Sequence, residues 1–196
     1  MSHTGIVVII TLITIMLKGI SLLFFMGVVL SPGLCCDWLA HFGHLSNQSL
    51  SLIRIMGGPL TNQQSPVSFP KELYRRAHNA TVDFQLAFLR DSLKLIKRLW
   101  LKLFQHDELS SVTWGTTNTE HFLMTILRQH REVKRCVSKK RKADGKLVKY
   151  YLTLERHTLH QKANRTEAWE LIRKVTQHHL EQLHMLVASI IHAISR

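Results

Sequence analysis

Asn164-Arg-Thr-Glu-Ala-Trp-Glu-Leu-Ile-Arg-Lys174, running on to Arg196 without a glycine or a proline, is the stretch that decides the fold. Apolar residues recur at Trp169, Ile172, Leu183, Leu186, Ile190 and Ile194, and Thr176 and His179 fill the gaps at the same spacing. That pattern predicts one face of a helix of about eight turns. Asn164 suits the N-cap, with Glu167 three residues on to close a capping box. Glu167 and Glu170 lie where the helix dipole favours negative charge, and Arg196 where it favours positive charge. A rod of ~45 Å is not stable alone and needs neighbours of similar length.

The neighbours lie upstream. Leu147–Ala163 predicts a helix with Val148, Tyr151, Leu152 and Leu159 inward. Ahead of it, Lys139, Lys140, Arg141 and Lys142 make Ser138–Lys146 the most basic segment. This run is either a site for sulfated glycans or a solvated crossover loop. Thr117-Asn-Thr-Glu120 reads as a capping box opening a helix to about Cys136, with Phe122, Leu123, Ile126, Leu127, His130 and Val133 as its stripe. Gln105–Gly115 reads as a polar connection containing Trp114.

Val82, Leu86, Leu89, Leu93, Ile96, Trp100 and Leu103 alternate at spacings of 4 and 3, and Phe84, Phe88, Leu95 and Leu99 form a second row. Two apolar rows predict a central helix, and they argue against a two-stranded coiled coil. Lys71–His78 predicts a short helix. Gly57–Pro70 holds three of the four prolines and no charged residue. It reads as a long overhand connection, which lets the flanking helices run parallel. Cys36–Met56 predicts the first helix, with a bend near Gly43 and Ser46-Asn47. Four substantial helices, one short one and two long connections predict an all-α, up-up-down-down bundle with long crossover loops and a long C-terminal helix.

From Gly5 to Leu30 the chain is nearly all apolar, and Ser31-Pro32-Gly33-Leu34-Cys35 follows. Gly33 and Cys35 are small and two apart, which predicts a signal peptide over residues 1–35 and a mature domain over 36–196. The alternative is a retained signal anchor, since the apolar run is long enough to span a bilayer. Of three cysteines, cleavage after Cys35 leaves Cys36 and Cys136, an even number for an oxidising compartment. Joined, they would close a loop of ~100 residues, worth roughly 4–5 kcal/mol in the chain-entropy model. Unpaired thiols are the alternative. Asn47, Asn79 and Asn164 each begin an N-glycan acceptor triplet.

Lys and Arg exceed Asp and Glu by 26 to 13, a net charge of +13 that predicts attraction to acidic partners. No catalytic motif of the hydrolase, P-loop, zincin or thiol-redox kinds is present. The thirteen histidines include His41/His44, His157/His160 and the group His178, His179 and His184, but none has ligand spacing to a Cys or carboxylate. No metal or cofactor is expected. The aromatics sit on the apolar stripes rather than among the basic residues, which argues against nucleic acid.

Several segments resemble the type I interferons, in particular the fish forms with one disulfide. They are Cys36-Asp-Trp-Leu-Ala-His-Phe-Gly-His-Leu-Ser-Asn47 with Leu50–Gly58, Phe69-Pro70, Ser110-Ser111 with Trp114, Cys136-Val137, Tyr150-Tyr151, and Glu167-Ala-Trp-Glu-Leu-Ile-Arg173. Many interferons carry a Cys just before Ala-Trp-Glu and a partner in the first loop. Here Glu167 stands there and the loop has no Cys, so both partners are missing together. The resemblance implies a secreted antiviral cytokine that bridges a two-chain receptor. One receptor chain would meet the first helix, first loop and last helix, and the other the opposite face. Arg54, Leu60, Arg173 and Lys174 are the exposed residues expected to touch the first chain, or else are ordinary surface charge and loop packing. A cationic protein that attacks microbes directly, and an uncleaved membrane-held or intracellular form, are the competing readings.

Overall fold

The computed structural model describes residues 38–106, 114–137, 143–159 and 165–194. These residues form six helices and no strand: α1 Trp38–Ile55, α2 Lys71–His78, α3 Val82–His106, α4 Thr116–Cys136, α5 Gly145–Leu159 and α6 Arg165–Ile194. The bundle is the expected one, and its five long helices and one short one are the six segments read from the sequence, one long helix more than the tally of four.

Side-chain pairings fix the helix directions. Arg173 meets Ile53 and His184 meets Ser46, so α1 runs opposite to α6. Trp100 meets Thr176 and Phe104 meets Trp169, so α3 also opposes α6 and lies parallel to α1. The overhand connection over residues 56–70 makes that parallel pair possible. Trp100 packs on Phe122, and His130 lies in the field of Arg90 and Lys94, so α4 opposes α3. Glu155 pairs with Arg98 and Lys102, and Asp144 with Arg76 at the end of α2. α5 therefore runs parallel to α3 and is itself the limb that returns the chain to the start of α6. The second crossover is largely this helix, the one expected over Leu147–Ala163.

α6 buries the stripe read from its sequence. Trp169, Ile172, Thr176, His179, Leu183, Leu186 and Ile190 are all buried. Only Ile194, in the last turn, is exposed. Each large apolar member contributes about 1.5–3 kcal/mol of burial. The two rows of α3 are inside as well, with Val82 and Phe84 at its margin.

Two local expectations are corrected, and a third segment gains detail. α4 starts one residue early, at Thr116, so Thr117 is inside the helix and no side chain caps it. Thr119 Oγ1 instead donates to the Gly115 carbonyl at 3.0 Å. On α5, Leu152 is exposed, and the inward residues are Leu147, Tyr150, Tyr151 and Leu154. α5 touches both α3 and α6, so its buried arc is wider than a single stripe. α1 is continuous through Gly43, Ser46 and Asn47. Ser46 and Ser49 are buried, and Gln129 of α4 reaches between them, its Nε2 donating to the Leu45 carbonyl at 2.9 Å and to Ser49 Oγ at 3.2 Å. Small residues there admit a polar thread from α4.

Candidate functional site

The first two turns of α6 hold the overhand connection against the end of α1. Glu170 is the centre of this clasp. Its Oε1 accepts the Trp114 indole N–H at 2.7 Å, and its Oε2 accepts Arg173 Nε at 2.8 Å. Arg173 then spends its remaining donors on the turn that ends α1. Nη1 donates to the Ile53 carbonyl at 3.3 Å, and Nη2 to the carbonyls of Gly58 and Pro59 at 2.6 and 3.4 Å. A planar fork with five N–H groups suits several carbonyls at once, which an ammonium does not.

Below the clasp lies an aromatic nest. Trp114 stands edge-on to Trp169 at 5.3 Å, and Trp100 lies 4.7 Å from Phe122 and 6.4 Å from Trp169. Trp100 Nε1 donates to Thr176 Oγ1 at 3.0 Å, whereas the buried Trp169 indole N–H has no acceptor among the described residues. Gly57 passes directly over this nest. A Cβ there would stand 2.7 Å from Trp114 Nε1 and 3.0 Å from Arg173 Cζ, so only glycine fits.

Lys174 extends the clasp outward, its Nζ donating to the carbonyls of Thr61 and Gln63 at 2.9 and 3.1 Å. Arg54, at the last turn of α1, is exposed and pairs with Glu181 of α6 at 3.1 Å. Leu60 is exposed on the connection between them. The structure thus gathers Arg54, Leu60 and Lys174 on one face. Arg173 is the correction: its side chain is 1% exposed, so it holds this face from beneath and is not an exposed contact.

A second anchor lies further along α6. Phe69, at the end of the connection, packs its ring on His178 and His179 at 4.0 and 4.7 Å and stacks on Tyr74 at 5.3 Å. His179 is fully buried between two phenols, Nδ1 2.7 Å from Tyr74 Oη and Nε2 3.3 Å from Tyr150 Oη. Burial, and secondarily the charge of His178, push its pKa down to about 3, so the ring is neutral. Burial also raises the Tyr74 and Tyr150 phenols, which stay protonated. Ser65, Val67, Phe69, Tyr150, Leu171, Lys174, Val175 and His178 line a half-open cleft of about 160 Å³ between the two anchors.

Sequence reasoning missed Trp114 and Gly57, which read as loop and as helix breaker. It also missed the meaning of Glu170. Arg173 carried a usable signal, since Trp169, Arg173 and Thr176 are spaced 4 and 3 on the buried face. Asn47 is exposed in mid α1, and Asn79 is exposed at the C-cap of α2. Cys136 is partly buried against the core at the end of α4. Residues 1–35, Cys36, the Lys139–Lys142 run and Asn164 lie outside the described residues. Among the described residues there is no group of three or more metal-ligating side chains, and no helix long and apolar enough to cross a membrane.

No protein-family profile matches the chain. It is 37% identical over 155 residues to interferon a3 of Oncorhynchus mykiss, across 79% of this chain and 86% of that protein. Zebrafish interferon 1 has the same fold, with a TM-score of 0.66 and 27% identity over 79% of this chain and 99% of that one.

Proposed function

This chain belongs to the type I interferon family of fish, and from that premise we propose that it is a secreted antiviral cytokine acting through a two-chain class II cytokine receptor. Interferons are cytokines and not enzymes, in keeping with a sequence without a catalytic motif. The reading adds secretion after removal of residues 1–35, a Cys36–Cys136 bridge, JAK/STAT signalling and induction of antiviral genes. A glycan at Asn79 fits an exposed turn better than one at Asn47 in mid-helix.

The observation that carries the receptor proposal is the clasped face. A connection of this length, polar and uncharged, would be expected to move. Here Arg173, Lys174 and Phe69 hold it against α6 at successive points. Pre-ordering a loop removes part of the entropy cost of binding, which is a reason to build one. Arg54, Leu60 and Lys174 then stand as contacts for the first receptor chain, and the α3 side for the second.

The test begins with cells expressing the full chain. Secreted material starting at Cys36, with no free thiol, is the expected product. Added to cultured fish cells, it induces antiviral transcripts, and induction disappears when either receptor chain is deleted. Correctly processed protein that induces nothing, or that kills microbes without any host cell, overturns the proposal.

A further inference from the structure

Between its two fastenings the overhand connection spans a cleft. Lys174 holds the carbonyls of Thr61 and Gln63 on one side, and Phe69 rests on His178 and His179 on the other. Within the span the Val67 N–H donates to Ser65 Oγ at 3.3 Å, so the short arch is braced on itself. Val67 and Phe69 form the roof, Leu171 and Val175 of α6 the floor, and Tyr150 of α5 a side wall. Leu171, Val175 and Tyr150 are buried, and the Tyr150 hydroxyl lies 3.3 Å from His179 Nε2. The walls thus come from three elements, each held by bonds or ring contacts outside the cleft.

Size decides what the cleft can hold. Its volume of about 160 Å³ is close to that of a cavity that takes up benzene, ~150 Å³. It is about half the lower limit, ~300 Å³, of pockets for drug-sized molecules. One aromatic side chain fits, and a larger free ligand does not. The lining agrees. Phe69, Tyr150 and, at the mouth, His178 present ring faces and edges, which an aromatic guest meets in offset or edge-on contact. Lys174 also stands at the mouth, and its ammonium spends two of three N–H groups on the Thr61 and Gln63 carbonyls. Glu181, 3.8 Å from His178, is engaged by Arg54 and Gln177, and among the described residues no carboxylate pairs with Lys174. The third N–H is left for a carboxylate from outside.

We propose that this cleft is the anchor pocket for the first receptor chain, taking one aromatic side chain of that chain, with a carboxylate beside it for Lys174. The proposal rests on the receptor reading above and adds the chemistry that the receptor brings. Lys174 belongs both to the cleft and to the face that carries Arg54 and Leu60, so the pocket continues that face. Binding energy at protein interfaces concentrates where an aromatic side chain fills a pocket of this kind. An arch fastened at both ends holds the pocket open before the partner arrives, which spares the cost of ordering it.

The test uses protein secreted from cells expressing the full chain and the extracellular part of each receptor chain. Val175→Phe fills the cleft from the floor and Val67→Phe fills it from the roof, and melting temperatures show which variants fold. Each folded variant is expected to bind the first receptor chain about thirtyfold more weakly, the size of an interface hot spot, with binding of the second chain unchanged. Among aromatic residues of the first receptor chain replaced one at a time by Ala, one gives the same loss and adds little to it when combined with a filled variant. Benzene alone shifts the Leu171 and Val175 methyl resonances of the parent but not those of Val67→Phe.

Filled variants that bind like the parent, while Leu60→Ala weakens binding, leave the face as a receptor contact and overturn the pocket. Benzene that shifts no methyl of the cleft overturns it as well. So does a parent that dimerises while the filled variants stay monomeric, since the occupant is then a second copy of this chain. If the parent binds neither receptor chain, the receptor reading itself falls and takes the pocket's role with it, whatever benzene does.

Discussion

The overhand connection is fastened to α6 twice, by opposite chemistry. Near Gly57–Gln63 the fastening is ionic: the half-buried Glu170 accepts from the buried Arg173, whose other N–H groups donate to the carbonyls of the turn. At Phe69 it is aromatic and neutral: an uncharged His179 lies between two phenols under a phenyl ring. The ionic anchor depends on every partner being present, because an unpaired buried charge is expensive. The aromatic anchor depends on a proton being absent. Mutation should therefore break the first anchor, and acid the second.

The largest expected effect is at Arg173. Arg173→Ala leaves Glu170 facing Trp114 alone and strips donors from the Ile53 and Gly58 carbonyls, costing about 3–5 kcal/mol. Arg173→Lys should rescue little of it, since one ammonium cannot serve carbonyls on both sides of the turn. Urea unfolding measures both, and an Arg173→Ala loss below about 1 kcal/mol would mean the guanidinium is not the keystone. Next is Gly57→Ala. The added methyl meets Trp114 Nε1 at 2.7 Å and has to displace the indole from Glu170, for a loss of up to about 3 kcal/mol. A change in tryptophan fluorescence should accompany it. An unperturbed spectrum with full stability would show that the turn yields instead.

Acid should act at the other anchor. His179 has a folded pKa of about 3 against an ordinary value of 6.5, so the unfolded chain takes up the proton first. Its contribution is intact above pH ~6.5 and is lost as pH falls toward 3, reaching about 2 kcal/mol at pH 5. His130, lowered to about 4 and more exposed to solvent, acts in the same direction with a smaller weight. His179→Gln should flatten the fall in stability between pH 6.5 and 4. An equal slope in parent and variant would place the titration elsewhere.

The two anchors also differ in how much of them could be read from the chain. His179 reads as part of the inward stripe because α6 keeps its helical period over thirty residues. Phe69-Pro70 stands out through the family resemblance. The ionic anchor was hidden, because charge reads as surface. Arg173 reads as exposed although Trp169 and Thr176 lie on its own face, and Trp114 sits in a stretch too polar to suggest core. What makes Arg173 buried is the turn at Gly57–Pro59 folding over it, a long-range event with no local period. The same limit produced the wrong stripe on α5, whose inward side is set by two neighbours at once.

The smallest stability effects, and the sharpest test of what the clasp is for, are at its outer end. Lys174→Met keeps most of the aliphatic stem but removes both bonds to the Thr61 and Gln63 carbonyls, for a loss of about 1 kcal/mol. Arg54→Ala breaks only an exposed pair with Glu181 and should cost ~0–1 kcal/mol. Binding should separate them. If the face is a pre-ordered receptor contact, Lys174→Met speeds amide exchange over residues 60–65 and slows association with the first receptor chain, because the loop must be ordered again. Arg54→Ala leaves exchange unchanged and mainly accelerates dissociation, as loss of a direct contact does. If both variants bind like the parent, the ionic anchor serves the fold alone.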